Sequence, residues 1–289
     1  MFSSMRGKPM IAGLMLALGL APSAPAVLYT STGVESPRLI TISEKTLLPL
    51  RGKGQDENDG EAQLTVDRSN GRIFAVASGF YAELGPYSLL AKRKRLTPNG
   101  ASFLGIAAWK GVLYSCTGYE KPALITLNEN TLRITGGTPQ QEVDGATALA
   151  FDDTNGRLFA ITGLYVIEFD PKTRKILHKV AALSEGGSVA VTGIAAHNGV
   201  IYTCTDYPNL NLVTLDENTL HRTGGTPQSD ITGATSLAVD PATGHIFALS
   251  PLGVTEFDPA TMEILQQKAF PDGGLGLGLA IIPDPVPRR

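Results

Sequence analysis

The sequence predicts an all-β fold: a six-bladed β-propeller built from three two-blade repeats, the ring closed by the C-terminal strand. Three observations carry this. LYTSTGVESPRLITISEKTLL at Leu28 returns as LYSCTGYEKPALITLNENTLR at Leu113 and as IYTCTDYPNLNLVTLDENTLH at Ile201. The starts lie about 85 to 88 residues apart, roughly twice the 40 to 45 residues of a four-stranded blade, so each unit holds two blades. Finally, the first blade begins at Val27-Leu28 with no innermost strand before it. Leu277-Gly278-Leu279-Ala280-Ile281 matches Leu104–Ala108 and Thr192–Ala196 and supplies the missing strand from the far end. Closure of this kind removes exposed sheet edges.

The first 26 residues are expected to be a secretory signal peptide. Arg6 and Lys8 form a basic start, Met10 to Leu20 is apolar, and Ala24-Pro25-Ala26 is an A-x-A site with cleavage after Ala26. The apolar run is short for a bilayer span, so no membrane span is expected after cleavage. Residues 27–289 then form a single propeller domain, secreted or periplasmic.

Within the second unit, Leu104–Ala108, Val112–Thr117, Ala123–Leu127 and Leu132–Thr135 read as the four strands of one blade. Ala146–Phe151, Arg157–Thr162, Tyr165–Phe169 and Lys175–Val180 read as the next. Inner strands such as ATALAF and TGIAA are apolar or small throughout, as strands covered on both faces should be, whereas the outer strand KILHKV carries charge. The turns Asp67–Gly71, Asp152–Gly156 and Asp240–Gly244 each pair a carboxylate that can accept backbone amides with a glycine free to take positive φ. They lack the alternating acidic ligands of an EF-hand loop and read as turns.

Composition fits a packed, turn-rich β protein: 43% hydrophobic and 18% charged residues supply a core, and 32 Gly with 19 Pro supply turns. A net charge of −3 argues against a nucleic-acid partner, and the single basic run Lys92-Arg93-Lys94-Arg95 reads as a solvated outer strand. Cys116 and Cys204 occupy equivalent places in two units, where Ser31 stands in the first. Positions related by pseudo-threefold rotation lie beyond bridging distance, so two separate buried thiols are expected.

The strand pairs Asn70–Ala75, Asn155–Ala160 and Thr243–Ala248 share [TN]-G-x-[LI]-F-A, and Glu168-Phe169-Asp170-Pro171 and Glu256-Phe257-Asp258-Pro259 follow two of them. This pattern resembles the repeats of the YVTN-type and quinoprotein amine dehydrogenase β-like propellers. The resemblance spans essentially residues 27–289 and implies fold only, because that superfamily holds enzymes, binding proteins and scaffolds. Gluconolactonase-type propellers hold a divalent metal with Glu, Asn, Asp or His on the innermost strands. Here those strands offer Gln63, threonines and small apolar groups without a ligand cluster. The single Trp109 does not match the recurrent tryptophan docking of the large quinoprotein propellers. His178 and His221 fall on outer strands and His197 and His245 in turns, without a common locus, and read as surface residues.

The candidate binding face is formed by the loops joining the second strand to the third and the fourth to the next blade. Tyr119 and Tyr207 occupy matched loops there, and Phe80 and Tyr81 sit in SGFYAELGPYS, the segment that departs most from the repeat. Aromatic side chains of this kind anchor protein or glycan contacts. Glu57, Asp59, Glu142, Asp144 and Asp230 occupy loops that lead toward inner strands, and hard cations favour such oxygen ligands. The sequence therefore points to a secreted or periplasmic non-catalytic binding or scaffold propeller with a protein or glycan partner and no resident cofactor. The alternative is a metal-dependent hydrolase, lactonase or lyase using the acidic rim, with Ca²⁺ as the ion it would suit.

Overall fold

Short apolar strands separated by Asp-, Asn- and Gly-bearing turns fold into six antiparallel four-stranded sheets. The computed structural model describes residues 26–32, 38–54, 63–77, 79–97, 103–117, 122–143, 146–163, 165–181, 191–205, 211–227, 231, 236–250, 253–269 and 276–282. Blade one holds β1 (Val27–Thr32), β2 (Arg38–Ser43) and β3 (Pro49–Gly54). Blade two is β4 (Gln63–Asp67), β5 (Arg72–Ala77), β6 (Phe80–Leu84) and β7 (Ala91–Leu96). Blade three is β8 (Phe103–Trp109), β9 (Val112–Thr117), β10 (Ala123–Asn128) and β11 (Ile134–Pro139). Blade four is β12 (Ala146–Phe151), β13 (Leu158–Thr162), β14 (Tyr165–Phe169) and β15 (Ile176–Ala181). Blade five is β16 (Val191–His197), β17 (Val200–Thr205), β18 (Asn211–Asp216) and β19 (Arg222–Pro227). Blade six is β20 (Ser236–Val239), β21 (Ile246–Ser250), β22 (Gly253–Phe257) and β23 (Ile264–Lys268).

The last strand, β24 (Gly276–Ile282), returns to blade one and pairs antiparallel with β1, Ile282 opposite Val27 and Ile281 opposite Leu28. The predicted closure is the observed one, and the protein is a six-bladed β-propeller. No helix among the described residues is long and apolar enough to cross a membrane.

The hydrophobic core is a ring of six clusters, one at each blade interface. Phe74, Tyr81, Ile106 and Leu113 join blades two and three, Phe159, Ile201 and Leu215 join four and five, and Phe247, Leu28 and Ile42 join six and one. Each fully buried side chain of this size contributes about 1.5–3 kcal/mol, so the stability of the ring resides between blades as much as within them. Neighbouring inner strands approach closely because glycine stands at the contact. A Cβ on Gly105 would meet the Ala148 backbone at 3.2 Å, and one on Gly193 would meet Ser236 at the same distance.

Polar latches reinforce the three interfaces that join one two-blade unit to the next. Between blades two and three, Asp67 accepts the Gly111 amide at 2.6 Å, Asn70 donates to Glu129, and Arg72 pairs with Glu83 at 2.7 Å and donates to the Glu129 carbonyl. Between blades four and five the same set recurs as Asp152 with Gly199, Asn155 with Glu217, and Arg157 with Glu168 and the Glu217 carbonyl. Between blades six and one the chemistry changes. His245 takes the arginine's place against Glu256 at 2.6 Å, Gln266 donates to the Glu44 carbonyl, and Glu44 accepts the Ala26 amide at 2.6 Å. Burial, with the neighbouring Asp240 and Glu256 charges, pushes the Glu44 carboxyl up to about 7 despite the Ala26 amide.

Every turn from the third to the fourth strand contains a non-glycine residue at positive φ: Leu47, Leu89, Leu132, Arg174, Leu220 and Met262, between 51° and 60°. The left-handed conformation costs such a residue roughly 1–2 kcal/mol. Leu47, Leu89, Leu132 and Leu220 offset it by burying their side chains. This turn also moves the outer strand of blade three to Ile134–Pro139, two residues beyond its expected start at Leu132. Cys116 and Cys204 are separate, free and buried, as expected, and burial pushes the Cys116 thiol up to about 12 and the Cys204 thiol upward as well.

Candidate functional site

The two faces of the propeller differ in how much of them is described. Turns joining first to second and third to fourth strands lie on one face and are described throughout blades two to six. Of the residues expected to form a site on the other face, Tyr119, Tyr207, Glu57, Asp59, Asp144 and Asp230 lie outside the described residues. Phe80 and Tyr81 lie in β6, which is a regular strand despite its divergent sequence. Both are interior residues, 5% and 1% exposed: Phe80 packs toward blade one and Tyr81 toward blade three. Strand alternation sends adjacent side chains to opposite faces of a sheet, and both faces of this sheet are covered. Glu142 sits in the one-turn 3-10 segment Gln141–Val143 and faces Lys179 on the outer strand β15 at 3.4 Å. That places its carboxylate over the rim of blade four, away from the axis.

The inner strands β4, β8, β12, β16, β20 and β24 enclose a central cavity of about 110 Å³, walled by Leu64, Ile106, Leu149, Ile194, Leu237 and Leu279 with small neighbours between them. Ligand pockets for small molecules usually run to about 300–1,000 Å³, and this channel is well under half of the lower bound. Its mouth on the described face is polar. Arg68, next to the Asp67 turn, reaches across the axis, donating to the Val239 carbonyl of blade six at 2.6 Å and pairing with Asp153 of blade four. Asp153 also accepts from His197 Nδ1 of blade five at 3.0 Å. His197 Nε2 lies 2.9 Å from the Asn198 amide nitrogen. The Nδ1–H tautomer satisfies both contacts, donating to Asp153 and accepting from Asn198.

The four histidines share no locus, as expected, but His197 is not a surface residue: it is 8% exposed and tied into the mouth. Burial alone would raise the Asp153 pKa. The Arg68 charge and the hydrogen bonds from His197 and Arg68 outweigh it and hold the carboxyl below its ordinary value. Beside the network, Trp109 stacks on Phe151 with ring centroids 5.5 Å apart, and Lys110 lies over the Trp109 ring. A Cβ on Gly156, at φ +78°, would meet that indole at 2.9 Å, so glycine is what lets the ring lie flat on the turn.

Asp152, Asp153 and His197 form the group of potential metal ligands among the described residues, their atoms within 4.8 Å of one another. Their lone pairs are already engaged. Asp152 accepts the Thr154 amide and hydroxyl and the Gly199 amide, while Asp153 holds Arg68 and His197. A cation bound here would have to displace the Arg68 guanidinium. Nor does His197 offer a free ring nitrogen for proton transfer.

The signal that could have found these residues lies in the mismatches between units. Arg68, Asp153 and Pro241 are equivalent positions of three otherwise matched turns, and Trp109, His197 and Ile282 end three equivalent inner strands.

No protein-family model matches the chain, and no curated protein matches it. Solved structures do. A protein of unknown function from Bacteroides caccae is 12% identical with a TM-score of 0.66, covering 90% of this chain and 99% of its own. A chain of the nidogen/laminin complex is 8% identical with a TM-score of 0.69, covering 89% of this chain and 98% of its own. Myxococcus xanthus glutaminyl cyclase is 20% identical with a TM-score of 0.51, covering 65% of this chain and 84% of its own. The likeness is one of fold.

Proposed function

We propose that the protein is a secreted or periplasmic non-catalytic propeller that binds a protein or glycan on a face of the ring. The observation that carries this reading is the self-satisfied mouth of the channel. Arg68, Asp153, His197 and Asn198 hydrogen-bond to one another, and the cavity beneath measures only about 110 Å³. A general base needs a nitrogen or oxygen within reach of the proton it takes, and this histidine has both nitrogens engaged. The nidogen/laminin complex is a precedent for the same fold within a protein assembly. The binding face is the one bearing Tyr119 and Tyr207.

The metal-dependent hydrolase, lactonase or lyase remains the rival, favoured by the grouping of Asp152, Asp153 and His197. Turnover of lactone, ester and glycuronan substrates, with Ca²⁺, Mg²⁺, Mn²⁺ or Zn²⁺ and with chelator, separates the two. The binding reading expects no metal-dependent turnover. It also expects Tyr119→Ala/Tyr207→Ala to keep the wild-type melting temperature and lose retention on a purified-glycan or protein array. Metal-dependent turnover that Asp153→Asn abolishes would establish the rival.

A further inference from the structure

The outer crevice between blades two and three holds a second cavity, distinct from the channel. It measures about 270 Å³ and is lined by Tyr81, Arg95, Leu96, Leu132, Arg133 and Ile134. Arg95 sits on β7 directly opposite Tyr81 on β6, and Arg133 precedes β11 of the neighbouring blade, so two guanidinium side chains approach one opening from different blades. Neither has an ion-pair partner among the described residues, whereas the adjacent Arg93 pairs with Glu83. One large apolar side chain stands beside them in water, Ile134 at 43% exposed, and Leu96, paired with Phe80 at the end of β7, borders the same opening.

The repeat shows that this is particular to one interface. The Tyr81–Arg95 pair of blade two corresponds to Val166–Val180 in blade four and Val254–Lys268 in blade six, and Arg133 corresponds to His221 and Leu48. The departure puts two cationic groups, without an ion-pair partner among the described residues, next to an exposed isoleucine on a protein of net charge −3. Guanidinium forks match the geometry of carboxylate and phosphate, and the apolar side chain beside them suits a hydrocarbon or aryl body.

We propose that this crevice is a binding site for an anionic ligand with an apolar body, its carboxylate or phosphate held between Arg95 and Arg133 and its body laid against Ile134 and the Leu96 end of β7. This goes beyond the face-binding function above and does not depend on it. A solvated outer strand would carry the same charges without a ligand; saturable binding that needs both arginines distinguishes the two.

Isothermal titration with 4-phenylbutyrate and with phenyl phosphate, against uncharged 4-phenylbutanol, tests the site. Wild-type protein is expected to bind at least one of the two anions saturably and the alcohol at least tenfold more weakly. A preference for the carboxylate points to a fatty- or aryl-acid source, and for the phosphate to a phosphoester. Each charge-assisted hydrogen bond is worth about a factor of ten in affinity, so Arg95→Gln/Arg133→Gln should weaken binding at least tenfold. Both side chains are exposed, and the melting temperature of the double variant should match wild type. Arg93→Gln, one strand position pair away, serves as the charge control and should bind as wild type. No saturable binding of either anion, or equal loss in the Arg93 control, overturns the proposal.

Discussion

The three unit-to-unit latches occupy equivalent positions and differ in one respect. Two are built on arginine and one on histidine. Arg72 and Arg157 remain charged at any pH the fold survives, and each bridges a carboxylate in its own blade to the backbone of the next. The third latch divides that work between His245 and Gln266 and places Glu44 beside Asp240 and Glu256. It is also the latch that closes the ring. The covalently continuous interfaces are fixed by permanent charge, while the closing interface carries a carboxyl, Glu44, whose charge varies with pH.

Removing an arginine should have the largest effect. Arg157→Ala strands Glu168 and Glu217, 7% and 2% exposed, without their counter-charge and is expected to cost about 3 kcal/mol in urea unfolding at neutral pH. His245→Ala at the closing latch should cost about a third of that; equal costs would erase the distinction between the latches.

A smaller, signed effect belongs to Glu44. Its folded pKa of about 7 lies above the ordinary 4.5 of a glutamate. The folded state therefore binds its proton more tightly than the unfolded chain does. This contribution is fully present below about pH 4.5 and is lost as pH rises through about 7. Glu44→Gln puts a group that does not titrate beside Asp240 and Glu256 and should flatten the stability profile between pH 5 and 8. A profile as steep as wild type would place the pH sensitivity elsewhere.

The smallest change expected is a gain. His245→Arg gives the third latch the chemistry of the other two and should stabilise the ring by about 0.5 kcal/mol. Urea unfolding of the variant beside His245→Gln reads it. An equal stability of the two variants would show that the guanidinium adds nothing at this interface.

Much of the fold was legible because strand patterning and turn chemistry are local. The strands Val112–Thr117, Ala146–Phe151 and Tyr165–Phe169 lie where their apolar runs placed them, and the C-terminal run closes the ring as its match to Leu104–Ala108 implied. The outer strand after Leu132 was misplaced because positive φ is ordinarily read from glycine or asparagine, and here a buried leucine adopts it. The channel mouth was not legible for a different reason. Arg68, Asp153 and His197 belong to blades two, four and five and meet only through the ring's curvature, so nothing in their spacing connects them. In β6, the divergence of the segment suggested a loop, whereas Phe80 and Tyr81 each fill one side of a covered sheet.

The pairing of β24 with β1 also has a mechanical meaning. In blades three and five the inner strand turns into its neighbour through a two-residue link, Lys110-Gly111 or Asn198-Gly199, whereas Ile282 and Val27 face each other across hydrogen bonds alone. The ring is a necklace whose clasp has no thread through it. Tension applied to the flanking chain on both sides would load the clasp from its open end, peeling one residue pair at a time, so its yield force is set by single pairs and not by the whole seam.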